Sequence, residues 1–245
     1  MIDAAQLLDD SAAVLLDFDG PVTALLPRPV NLHVADAGRR ALQACGVAVP
    51  AAVATTSDHL AVIRWTGKHA REALGAVDDA CATAETASAR TCVPTSGANA
   101  LLAALDGVGV PVVVVSNNAA AAIHAYLERH GLTSWVRDVV GRPAGRPDLM
   151  KPHPHTVERA LTIAGAGARR AVLIGDSVSD IEVARATGVR SIGYATTRRR
   201  GIELRRAGAD AVTDDIGALV PGGSAQRGRA VGDRRGIAGV FRGSR

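Results

Sequence analysis

The chain is poor in aromatic rings: Phe, Trp and Tyr make up 2% of its 245 residues. Its core must therefore rely on Ala, Val, Leu and Ile, and the scarcity argues against stacking platforms for nucleic-acid bases. Cysteine is scarce too. Cys45, Cys81 and Cys92 are odd in number and show no metal-ligand spacing. That argues against a disulfide framework and for reduced thiols, packed as small buried hydrophobes in a cytoplasmic protein. The N-terminus carries Asp3, Asp9 and Asp10 and no basic segment, so no secretory signal is read. The longest apolar run, near Val108 to Val115, is far too short for a bilayer, and no membrane partner is expected.

What the chain does have is aliphatic bulk. Hydrophobic residues make up 47% and the mean hydropathy is +0.13, as in a globular protein with a real core. The net charge is +4 and the pI near 9.4. That charge is unevenly placed. Six arginines against Asp233 give residues 221–245 a charge of +5, which leaves the rest of the chain at −1. This Gly- and Arg-rich tail reads as disordered. Any nucleic-acid role would rest on it alone.

Apolar segments at Ala12–Asp17, Val110–Ser116, Val136–Val140 and Ala171–Gly175 read as buried parallel strands. Shorter ones follow at Ser191–Tyr194 and Ala211–Thr213. Helical stretches separate them, among them Ala119–His130, His155–Ala164 and Asp180–Thr187. This alternation predicts an α/β fold: a Rossmann-like parallel sheet with helices on both faces. Roughly ninety residues between the first two strands exceed an ordinary crossover. Candidate helices there are Ala35–Cys45, Ser57–Trp65, Lys68–Leu74 and Asp78–Arg90, with Asp58 or Ser57 as a cap. The division predicted is a core of residues 1–24 and 95–220 around an inserted helical unit, 25–94.

The chemistry-bearing residues fall where strands end. Asp17 and Asp19 follow the first strand, one residue apart. Open α/β sheets bind ligands at that edge. Two close carboxylates repel, and a divalent cation offsets the cost. Ser116-Asn117-Asn118 follows the second strand, ahead of a helix, where a hydroxyl and free N–H groups can hold a phosphate oxygen. Ser or Asn could equally be a simple helix cap there. Lys151 lies between Met150 and Pro152, a point charge suited to phosphate or to an acid cluster. Gly175-Asp176-Ser177-Val178-Ser179-Asp180 brings a second acid pair after a second buried strand. Two such pairs are hard to explain as turns, and a cation makes four close carboxylates tolerable. His153 and His155 flank a proline and read as loop residues.

In order and spacing, DFDGPVT at 17–23, SNN at 116–118, the lysine of KPHP at 151 and GDSVSD at 175–180 resemble the four motifs of the haloacid dehalogenase (HAD) superfamily of phosphohydrolases. The insert is similar to the helical cap of the subgroup containing phosphoglycolate phosphatase and β-phosphoglucomutase. The resemblance implies a Mg²⁺-dependent phosphatase of a small phosphorylated metabolite. Asp17 would be the nucleophile and Asp19 the general acid and base. Mg²⁺ would be held by Asp17, the Asp19 carbonyl and Asp176, with Asp180 as a further ligand or as a support to the others. Ser116 and the Asn117 amide would hold phosphoryl oxygens, and Lys151 would neutralise the nucleophile. Pro21 departs from the family pattern, in which Thr is common; its fixed φ and missing N–H are expected to bear on the flap leading to the insert. In the insert, Arg64, Trp65, Lys68 and His69 form the most polar-aromatic cluster and are candidates for substrate contact. A phosphomutase with the same aspartyl-phosphate, and a non-catalytic phosphate-binding module on the same fold, are the alternatives.

Overall fold

The computed structural model describes residues 3–221; all of the basic tail after Pro221 lies outside the described residues. Six parallel strands form one sheet: β1 (Ala13–Leu16), β2 (Val112–Val115), β3 (Asp138–Val140), β4 (Ala171–Gly175), β5 (Arg190–Tyr194) and β6 (Ala211–Thr213). Their order is β3-β2-β1-β4-β5-β6. Leu16 pairs with Val114 on one side and Ile174 on the other. The chain therefore winds away from β1 in both directions, and the crevice at its carboxyl end is the topological switch point.

Alternation along the strands divides the core. Val14, Leu16, Val112, Val114, Val172 and Ile174 face one apolar cluster. Ala13, Leu15, Val113, Val115 and Leu173 face the other. Every one of these side chains is essentially inaccessible to solvent. A strand buried on both faces must be apolar at every position, which is why these runs are unbroken in the sequence.

Ten helices accompany the sheet among the described residues: α1 (Ala4–Asp9), α2 (Val30–Ala44), α3 (Ala51–Ala54), α4 (His59–His69), α5 (Leu74–Ala89), α6 (Ala98–Gly107), α7 (Ala120–Arg129), α8 (His155–Ala164), α9 (Val178–Thr187) and α10 (Arg198–Ala207). Helices α2 to α5 lie between β1 and β2 in the chain. They gather around an apolar cluster of their own, with Val34, Leu42, Val62, Ile63, Val77 and Cys81 at its centre.

The insert departs from the sequence expectation in detail. Helix α2 begins at Val30, five residues before the expected start, because Pro29 supplies a ready helix entry at its N-cap. The expected helix Lys68–Leu74 is instead the end of α4, a break at Ala70 and one 3-10 turn, Arg71–Ala73. Asp58 rather than Ser57 caps α4, accepting the Leu60 N–H at 2.9 Å. All three cysteines are free, but Cys45 is exposed rather than buried, because it stands just past the end of α2. Pro21 sits in a turn whose bonds come from other amides: Gly20 N–H donates to Thr23 O, and Val22 and Thr23 N–H both donate to Phe18 O. The missing N–H at position 21 therefore leaves no acceptor stranded in this turn.

Candidate active site at the carboxyl end of the sheet

Strand adjacency places Asp17 between the ends of β2 and β4, so Ser116 and Asp176 become its neighbours. The Asp17 N–H extends the ladder by donating to Ile174 O at 2.8 Å. Lys151 arrives from the loop after β3 and is 2% exposed. Its ammonium donates to Asp17 Oδ1 at 2.8 Å, Asp180 Oδ1 at 2.5 Å and Val115 O at 2.8 Å. Three donors thus meet three acceptors, which is what a buried ammonium requires.

The peptide that carries this lysine is pinned in turn. Lys151 N–H donates to Asn117 Oδ1 at 2.8 Å, and Asn117 Nδ2 donates back to Lys151 O at 3.1 Å. Asp180 is also held twice. One oxygen takes the lysine; the other accepts the Ser177 N–H and hydroxyl at 3.1 and 2.6 Å. Ser177 caps α9 reciprocally, so Asp180 serves both as helix cap and as anchor for the lysine. Gly175 makes room for it: a Cβ there would overlap the Asp180 carboxylate.

Carboxylate oxygens of Asp17, Asp176 and Asp180 lie within 4.8 Å of one another. One ammonium stands against three acids. Burial, then the Asp180 charge, pushes Asp17 well above the usual carboxylate range, against the pull of Lys151. Burial, with Asp180 and Asp19 nearby, raises Asp176 to about 7. Burial alone would lower Lys151, but Asp17 and Asp180 hold it above its ordinary value. Among the described residues the Asp176 carboxylate has no hydrogen-bond or ion-pair partner. Hard oxygen donors, a surplus of negative charge and an unpartnered carboxylate together fit a divalent cation of the Mg²⁺ type.

Asp19 stands apart from this cluster. Its Oδ1 accepts the Leu25 N–H at 2.8 Å, turning the carboxylate toward the flap that leads into the insert. Burial raises its pKa, and the N–H bond offsets part of that rise. The flap is fastened by Thr95 Oγ1 donating to Gly20 O at 2.6 Å and Thr23 Oγ1 donating to Val93 O at 2.8 Å.

Asp17, Asp19, Ser116, Asn117, Lys151 and Asp176 line one cavity of about 890 Å³. Ser116 Oγ donates to Asn118 Oδ1 at 3.0 Å and accepts the Asn118 N–H at 3.2 Å. The Asn117 N–H has no acceptor among the described residues. Of the insert candidates, Arg64 reaches the cavity and donates to Lys151 O at 3.2 Å. Lys68 lines a neighbouring cavity of about 810 Å³ instead. Trp65 stacks on His69, ring centroids 5.0 Å apart, and packs against the insert's apolar cluster rather than lining the cavity. His153 accepts the His155 N–H in a local turn.

Sequence reasoning missed a buried ionic network behind Ser116–Asn118. Glu85 of α5 is 0% exposed. Its Oε1 lies 2.6 Å from His59 Nε2 and accepts from Asn118 Nδ2 at 3.2 Å and Arg142 Nη1 at 3.0 Å. Its Oε2 accepts the Ala119 N–H at 2.9 Å. Arg142 also donates to Asp78 Oδ1 at 2.7 Å and to Asn117 O at 2.9 Å. Burial pushes Glu85 up, but the bond from His59 and the Arg142 charge outweigh it and hold the acid at about 2. The expected side-chain cap of α7 is absent, since Ala119 is its N-cap. The Glu85 carboxylate takes that place from outside the helix, where negative charge is favoured. One signal was available: Val77, Cys81, Glu85 and Ala89 repeat every four residues, placing an acid on the buried stripe of α5.

Comparison with known proteins bears on the fold and the family. A phosphoglycolate phosphatase of Rhodospirillum rubrum is 35% identical over 125 residues, covering 50% of this chain and 50% of that protein. One of Nitrosococcus oceani is 30% identical over 120 residues, covering 49% of this chain and 52% of the relative. The matched stretches thus span about half the length of these curated relatives. Among solved structures, CbbY from Rhodobacter sphaeroides in complex with xylulose-1,5-bisphosphate has a TM-score of 0.63 at 19% identity, covering 86% of this chain and 99% of that one. A HAD family hydrolase of Deinococcus radiodurans, with bound phosphate and sodium, has a TM-score of 0.57 at 22% identity, covering 86% and 93%. These identities speak to fold alone. The family model for haloacid dehalogenase-like hydrolases matches residues 58–194, more than half of the chain. A match of that extent shows the family, and the chain belongs to the haloacid dehalogenase-like hydrolase family.

Proposed function

We propose that the chain is a phosphatase of small phosphomonoesters and that Asp17 is its nucleophile. The observation that carries this reading is that Asp17 and Asp180 both bind Lys151 while Asp176 lies within 4.8 Å of the two acids, with Asp17, Asp176, Lys151, Ser116 and Asn117 lining one cavity. Phosphoryl transfer asks chiefly for positioning and charge neutralisation, and this cluster supplies both. A Mg²⁺ ion, held by Asp17, Asp176 and the Asp19 carbonyl with Asp180 supporting them, would neutralise charge on the transferring group. The Ser116 hydroxyl and the Asn117 N–H bind phosphoryl oxygens.

Asp17 attacks phosphorus while the bond to the ester oxygen breaks, and Asp19 gives its proton to the departing alcohol. Burial suits Asp19 to that task, because it keeps the acid protonated to higher pH. Water then attacks the aspartyl-phosphate and yields its proton to Asp19, and the bond to Asp17 breaks to release phosphate. Residues 1–24 and 95–220 are assigned to the catalytic core. Residues 25–94 form a cap that excludes water from the cavity, with Arg64 as its contact to substrate. The free thiols suit the reducing cytoplasm, where we place the protein.

The curated relatives named phosphoglycolate phosphatase make phosphoglycolate the first substrate to test. Phosphate release is measured from phosphoglycolate, sugar phosphates, nucleotides and amino-acid phosphates, with and without Mg²⁺. Expected is Mg²⁺-dependent release that Asp17→Asn abolishes while the variant stays folded. Wild-type turnover in Asp17→Asn, or no release from any ester by the wild type, overturns the reading. A rearranged sugar phosphate as the product would instead identify a mutase.

A further inference from the structure

We infer that Glu85 is a positioning residue of the phosphate-binding loop, reaching from the insert to set the groups that grip a phosphoryl oxygen. The inference rests on the reading of Ser116 and Asn117 as phosphate-binding residues. Glu85 controls the loop along three routes. It accepts from Asn118 Nδ2 at 3.2 Å, which fixes which end of that amide faces forward. The Asn118 Oδ1 is then the atom presented to Ser116, whose hydroxyl donates to it at 3.0 Å. It accepts the Ala119 N–H at 2.9 Å, which fixes the backbone where the loop enters α7. Through Arg142 it also holds the Asn117 carbonyl, to which Nη1 donates at 2.9 Å.

The loop therefore has few ways to relax. Ser116, Asn117 and Asn118 are 1%, 8% and 5% exposed, so water has little access to replace a lost partner. Removing one member of a buried charged network leaves the others unsatisfied, and such networks respond as a unit. Glu85 itself lies outside the set of residues lining the cavity, so it acts on a ligand only through the residues it holds. Glu85→Gln keeps the shape but adds an NH₂ group. In place of Oε2 that group would face the Ala119 N–H, and in place of Oε1 the Asn118 amide and the Arg142 guanidinium as well as His59 Nε2, so a donor meets a donor either way and the Asn118 amide would turn to meet it.

The test measures inorganic phosphate binding by calorimetry and the KM and kcat of ester hydrolysis, for wild type, Glu85→Gln, Asn118→Ala and the double variant. Expected for each single variant is phosphate binding weaker by about tenfold or more, with KM raised in parallel, as loss of one charge-assisted bond predicts. The double variant should bind no more weakly than the worse single one, because both break the same link. Wild-type phosphate affinity in Glu85→Gln, with only a lower unfolding midpoint, would reduce Glu85 to a structural residue and overturn the inference. Should Glu85→Gln not fold, Asn118→Ala decides alone, since it cuts the link while Glu85 keeps His59 and Arg142. Binding needs no turnover, so the two readings separate. A wild type that binds phosphate but hydrolyses nothing sinks the phosphatase reading only. A wild type that hydrolyses esters, with a Glu85→Gln that binds phosphate equally well, sinks the positioning role only. A wild type that binds no phosphate overturns both.

Discussion

Asn117 and Lys151 hold each other through two hydrogen bonds, of 2.8 and 3.1 Å, that join a side-chain amide to the backbone of a residue 34 positions away. The ammonium of Lys151 can be aimed at Asp17 only because the peptide that carries it is fixed. Asn117→Ala leaves the buried Lys151 N–H without a partner and its carbonyl with Arg64 alone, which costs about 1–3 kcal/mol of stability. The expected outcome is a lower urea midpoint together with a fall in kcat for phosphate release. An unchanged kcat would show that Lys151 needs no such support.

Three carboxylates against one ammonium make the site sensitive to divalent ions. Anything that binds the folded chain and not the unfolded one raises its melting temperature by mass action. Millimolar Mg²⁺ should raise Tm in thermal unfolding followed by circular dichroism, and a chelator should reverse the gain. In Asp176→Asn, which removes the carboxylate without a protein partner, the gain should shrink or vanish. An identical Tm with and without Mg²⁺ in the wild type would contradict the cation site.

Gly175→Ala is a small change in a large core, yet its Cβ would overlap the Asp180 carboxylate. Overpacking of this kind costs about 1–3 kcal/mol. Here it would also displace an anchor of Lys151. The variant should lose activity more steeply than a methyl group placed at exposed Gly75, where nothing lies within 4 Å of the added carbon. Equal activities for Gly175→Ala and Gly75→Ala would show that Asp180 tolerates displacement.

Glu85 gives stability a definite dependence on pH. Its folded pKa is about 2, below the ordinary 4.5. As pH falls the unfolded chain takes up this proton first, so the contribution of Glu85 is complete above about pH 5 and is lost progressively toward pH 2. Urea midpoints measured between pH 3 and pH 6 should fall more steeply with acid in the wild type than in Glu85→Gln. Matching slopes would mean that the carboxylate is not held ionised by His59 and Arg142.

The sheet and the acid cluster were legible in the sequence, and the ionic network was not. Strands such as Val112–Val115 and Ala171–Gly175 are buried on both faces, and that demand writes an unbroken apolar run into the chain. Asp17, Ser116 and Asp176 follow such runs directly, so their meeting follows from strand order. Glu85 follows no strand and has no charged partner within a helical turn. Its partners His59, Asn118 and Arg142 lie 26, 33 and 57 residues away. In an Ala- and Thr-rich helix an acid reads as a solvent-facing position, and only its four-residue spacing from Cys81 and Ala89 marks it otherwise. Trp65 misled for the opposite reason: an amphipathic ring beside charged residues suggests a binding surface, but it packs beside His69 within the insert.

The placement of Glu85 bears on how freely this protein could be rebuilt from interchangeable parts. Exchanging the insert for one from another hydrolase would keep every acid of the core and discard Glu85 and Asp78. Arg142, 8% exposed, would then stay behind as a buried cation stripped of both carboxylates. A chimera that retained its motifs would thus still be handicapped, unless the donor helix brought its own acid to position 85 or Arg142 were replaced along with it.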